Sequence, residues 1–93
     1  LSNNLKRVTT TFKIKTERER EEVRDLILKY MRSTDLVSND KEIMTYIDIL
    51  QENVYQIKIQ YWTTQVNRIE WVQSEVQFGL YEMFRKNSIL VVQ

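Results

Sequence analysis

The chain is predicted to adopt an α+β, ferredoxin-like βαββαβ fold, a four-stranded antiparallel sheet with two helices on one face. Three observations lead there. Residues 8–15, VTTTFKIK, alternate apolar and polar side chains at the two-residue period of a half-buried strand. Two longer segments, near residues 17–32 and 67–86, repeat their apolar residues at helical spacing. Between them lie two β-branched and aromatic runs separated by Gln51-Glu52-Asn53. In that order, right-handed crossovers put both helices on the same side of the sheet.

Each element follows from its residues. Val8, Thr10, Phe12 and Ile14 form the inner side of the first strand, and Thr9, Thr11, Lys13 and Lys15 the outer side. Thr16 followed by Glu19 has the spacing of a capping box and predicts a helix starting there. Val23, Leu26, Ile27, Tyr30 and Met31 give that helix one apolar face, with Glu21, Arg24, Asp25 and Lys29 opposite. Ser33 to Glu42 is a polar connection, and its Asn39-Asp40 pair tolerates turn geometry. Ile43, Thr45, Ile47 and Ile49 are assigned inward on the second strand, although Met44, Tyr46 and Leu50 give its other side nearly equal apolar weight. Tyr55, Ile57, Ile59 and Tyr61 face inward on the third strand, and Asn53 suits a left-handed hairpin position. A helix over residues 67–86 and a short strand over 88–92 complete the chain.

Composition removes whole classes of chemistry. At 93 residues the chain is one domain with a modest core. Its net charge of +1 gives no reason to expect a nucleic-acid partner. Having neither Cys nor His, it lacks disulfides, thiolate nucleophiles, imidazole bases and the usual zinc ligands, so no cofactor, metal or catalytic role is expected. The longest aliphatic run is Ile89 to Val92, far short of the roughly 20 residues of a membrane span. Because it opens on Leu1 without a leader pattern, the chain is expected to be a piece of something longer.

Asp48 is the only strand-borne acid, and a surface charge that is solvated, or paired with Lys58 or Lys13 across the sheet, explains it better than catalysis. The open sheet face should carry Thr11, Lys13, Lys15, Gln56, Lys58 and Gln60, with no base-stacking platform apart from Trp62 at the strand end. In the last helix, Ile69, Val72, Val76, Leu80, Met83 and Phe84 make a core stripe. Trp71 and Phe78, seven residues apart, fall on the opposite side with Tyr81 beside them. Aromatic anchors of this kind are typical of protein interfaces, and the most economical partner is another copy of this chain.

Taken together, NNLKRVTTTFKIKTEREREEVRDLILKY, NVYQIKIQYW and the terminal FRKNSILVVQ resemble the C-terminal α/β domain of the small-conductance mechanosensitive channel family. Asn4, Lys6 and Arg7 match the Asn and basic residue that close the preceding β domain there, which implies that residues 1–7 end that domain or its linker and residues 8–93 form the ferredoxin-like unit. Tyr61 and Trp62 match the aromatic end of the third strand. The last turn departs from the family pattern by having neither Gly nor Pro, which assigns its left-handed position to Asn87. The resemblance implies the cytoplasmic part of an inner (plasma) membrane channel, a homo-oligomer, usually sevenfold. In that family the domain walls a hollow cage below a pore that releases ions and osmolytes on hypo-osmotic shock. Contact with the membrane would be only through upstream segments. The interfacial residues would be Trp71, Phe78 and Tyr81, with Trp62 weaker. The alternative is a ferredoxin-like regulatory or ligand-binding module that dimerises.

Overall fold

A computed structural model describes residues 4–92. The expected boundary segment 1–7 lies partly, and the terminal Gln93 wholly, outside the described residues. Four strands and two helices follow in the predicted order: β1 (Lys6–Lys15), α1 (Arg20–Ser33), β2 (Met44–Gln51), β3 (Val54–Thr63), α2 (Ile69–Lys86) and β4 (Leu90–Val92). A single turn of 3₁₀-helix, Val66–Arg68, leads into α2. The sheet order is β2-β3-β1-β4 with every neighbour antiparallel.

Alternation along the central strands builds the core. β1 and β3 pair over their whole length, from Lys6 opposite Thr63 to Lys15 opposite Val54. Val8, Phe12 and Ile14 are buried on one, and Tyr55, Ile57, Ile59 and Tyr61 on the other. Thr11, Lys15 and Lys58 are exposed on the far side, as the alternation requires. Val23, Ile27 and Met31 of α1 and Val72, Val76, Leu80 and Phe84 of α2 cover the inner face, all seven at 0% exposure. Each such side chain contributes roughly 1.5–3 kcal/mol through removal from water. Phe84 meets Phe12 edge to face, centroids 5.2 Å apart.

Three local predictions are corrected. The helix does not start at Thr16: the Thr16 amide donates to the Asn53 carbonyl at 2.8 Å, which holds this residue to the hairpin. Its hydroxyl instead accepts from the Arg18 amide, and the box is made one turn later, where the Glu19 amide donates to the Glu22 carboxylate at 3.0 Å. Asn87 is not the left-handed residue either; its φ is −101°, and Ser88 takes φ 59°. The Ile89 amide donates to the Phe84 carbonyl and the Ser88 amide to that of Arg85, a Schellman closure whose left-handed position falls one residue after Asn87. Ile49, assigned inward, stays in register opposite Tyr55 yet is 67% exposed, because this end of the edge strand reaches past the helices that cover the inner face. Asn53, by contrast, has the left-handed φ of 63° that the hairpin predicted.

The one glycine in the chain marks the contact between the helices. A Cβ at Gly79 would fall on the Tyr30 hydroxyl of α1. A side chain there would push the tyrosine out of the α1–α2 seam.

Candidate interaction surface

α2 presents two faces because its sequence carries two stripes. Val72, Val76, Leu80 and Phe84 recur every fourth residue and point into the core, with Ile69 and Met83 half-buried at its margin. On the outer side, Trp71 is 41% exposed, Phe78 62% and Tyr81 43%. A lone exposed aromatic is ordinary, but three on one helix make a surface that water solvates poorly.

Phe78 and Tyr81 line one groove, shared with Thr11 of β1, Gln77 of α2 and Val92 of β4. This groove exists because β4 is short. Among the described residues it pairs with Lys13, Ile14 and Lys15, and the earlier part of β1 has no strand neighbour on that side. α2 covers part of that edge with glutamines: Gln73 Nε2 donates to the Thr9 carbonyl at 2.6 Å, and the Thr10 hydroxyl donates to Gln77 Oε1 at 3.2 Å. The Gln73 bond satisfies a backbone carbonyl that would otherwise invite a stray strand, while the Gln77 bond pins the Thr10 side chain.

Trp71 sits near the helix start, in a hollow next to the groove, with Glu70 lining both. The Arg68 guanidinium stacks on its ring, 3.8 Å from the centroid, which holds the indole in place. Trp62 stands apart. It lies on the open side of β3 opposite Arg7, half-buried, with Lys41 Nζ 5.4 Å from its ring centre. The structure therefore gathers Trp71, Phe78 and Tyr81 on α2 and leaves Trp62 on the opposite side of the sheet.

A second apolar surface was only half visible in the sequence. Met44, Tyr46, Ile49 and Leu50 are all exposed along β2, the strand at the other edge of the sheet. The near-equal apolar weight of its two sides was the signal: Met44 and Tyr46 stand opposite Gln60 and Lys58 on the open side, whereas Ile49 stands opposite Tyr55 on the inner side, at an uncovered strand end. Lys58 covers the Tyr46 ring at 5.2 Å, and Asp48 stands opposite Gln56, exposed and without an ion pair to Lys58 or Lys13, as a solvated surface charge.

Among the described residues, no group of three or more acids could hold a metal ion, and no helix is long and apolar enough to cross a membrane. Residues 8–90 match the family model described as "Mechanosensitive ion channel MscS, C-terminal". No curated protein matches the chain. Among solved structures, Helicobacter pylori MscS in its closed state superposes with a TM-score of 0.82 at 15% identity, over 96% of this chain and 35% of that one. A variant of Arabidopsis thaliana MSL1 gives 0.80 at 13% identity over 96% of this chain and 35% of its own. Arabidopsis thaliana MSL1 itself gives 0.77 at 13% identity, over 96% and 34%. The chain thus has the fold of these proteins and spans about a third of their length.

Proposed function

The chain belongs to the family of MscS mechanosensitive-channel C-terminal domains, a family of channel domains and not of enzymes, and from that premise we propose that it forms part of the wall of an oligomeric cytoplasmic cage. The cage stands below a membrane pore that releases ions and osmolytes on hypo-osmotic shock. The observation that carries this reading is the outer face of α2, where Trp71, Phe78 and Tyr81 are displayed by a helix whose other face is fully committed to the core. A rigid helix bearing aromatic anchors is suited to a lasting contact between subunits. Residues 1–7 are proposed to lead out of a preceding β domain, and Trp62 to be a lesser contact on the sheet side.

Trp71→Glu and Phe78→Glu test the reading. Both side chains are exposed and outside the core, so each variant of this chain is expected to keep its circular dichroism and to unfold within about 0.5 kcal/mol of the parent. In the full-length channel, the same changes are expected to weaken assembly and to lower survival of channel-deficient cells after hypo-osmotic dilution. Full survival with either variant would overturn the assignment of that residue to a subunit contact.

A further inference from the structure

We propose that the hollow between α1 and the start of β2 is a binding site for a small zwitterion of the α-amino-acid type. It shares no residue with the outer face of α2, so it stands or falls independently of how that face is used. About 450 Å³ in volume, it is lined by Arg24, Leu28 and Arg32 of α1, by the loop before β2 with Asp40 and Glu42, and by Thr45 of β2. Hollows of roughly 300–1,000 Å³ are the size that small ligands occupy. Four-residue spacing sets Arg24, Leu28 and Arg32 in one line along the helix, so the two guanidinium groups belong to one wall and the two carboxylates to the other.

Two observations point to a ligand that carries both charges. Thr45 lies on the inner side of β2 and is only 9% exposed, yet its Oγ1 has no hydrogen-bond partner. An unpaired buried hydroxyl is costly, and this one belongs to a residue that lines the hollow. Beside it Arg24 is held in place: Nη1 donates to the Thr45 carbonyl at 2.7 Å, and Nε lies 3.4 Å from the Glu21 carboxylate. The second observation is that, among the described residues, Arg32, Asp40 and Glu42 form no ion pair although they line the same hollow. Lys41 lines it too, but its Nζ turns to the Trp62 ring, 5.4 Å from the centroid. A simple anion would be drawn to the arginines and repelled by both acids, and a simple amine the reverse. A molecule with both charges a few bonds apart suits both walls. Its carboxylate accepts from the arginine wall and the Thr45 hydroxyl, and its ammonium donates to Asp40 or Glu42.

Amide chemical-shift mapping by NMR tests this with L-alanine as the probe, beside acetate and L-alaninamide, which keep one of its charges each, and inorganic phosphate. L-Alanine is expected to move the amides of residues 39–45 and to saturate in the millimolar range, with the other three at least about tenfold weaker. Thr45→Val exchanges the hydroxyl for a methyl group, and Arg32→Gln changes an exposed side chain. Each is expected to weaken L-alanine binding about tenfold while amides remote from the hollow keep their positions. Should Thr45→Val disturb the fold, Arg32→Gln carries the test alone. No movement of residues 39–45 with L-alanine up to about 100 mM overturns the proposal. So does acetate or phosphate binding as tightly as L-alanine, which makes the hollow a plain anion site, and so does L-alanine binding that Arg32→Gln leaves unweakened.

Discussion

Tyr61 has the largest fully buried side chain, and its hydroxyl has no hydrogen-bond partner. Leaving a buried hydroxyl unpaired costs free energy, so Tyr61→Phe is expected to leave stability unchanged or raise it by up to about 1 kcal/mol in urea unfolding. Burial, and secondarily the neighbouring Tyr30, push its ionisation well above the usual value of 10.0. The folded state therefore favours the neutral phenol. This contribution is fully present below pH 10 and is lost as pH rises above it, and Tyr61→Phe should flatten that alkaline decline. Ser88 gives a second test. A left-handed backbone strains a residue with a Cβ, so Ser88→Gly is expected to raise stability by about 0.5–1 kcal/mol, read as a higher urea midpoint at unchanged slope. Sequence foretold Asn53 because a tight hairpin demands a left-handed position and, of Gln51, Glu52 and Asn53, Asn tolerates it best. It misplaced the one at the end of α2, because the choice between Asn87 and Ser88 depends on which amide reaches the Phe84 carbonyl, a three-dimensional fact.

At the scale of elements, the two-faced character of α2 was legible because its stripes differ by half a turn and the inner one repeats without interruption. The exposure of Ile49 was not, since alternation assigns a side of the strand but cannot show where the covering helices stop. The start of α1 failed for a related reason: Thr16-Glu19 has the right spacing, but the hairpin holds the Thr16 amide. Gly79 was counted in the sequence without a role, and only the approach of Tyr30 supplies one. Gly79→Ala is expected to destabilise by about 1–3 kcal/mol, as overpacking does. In a Tyr30→Ala background the same change should be neutral or mildly stabilising, because alanine is the better helix former. Equal losses in both backgrounds would assign the glycine to something other than that contact.

For the whole molecule, fold and family were both within reach of the sequence. Period, order and crossover handedness leave few arrangements, and residues 8–90 belong to a channel domain family. The interaction surfaces were less accessible, because they depend on how far α2 overhangs β1 and on the shortness of β4. Together these make a domain with one apolar edge at β2 and another at α2, which suits repetition around a ring. The most direct test is the mass of the full-length protein by light scattering in detergent, for the parent and for Phe78→Glu. The account predicts a closed oligomer for the parent and a marked shift to smaller species for the variant, with the folded content of each chain intact. An unchanged oligomer mass for Phe78→Glu would contradict it.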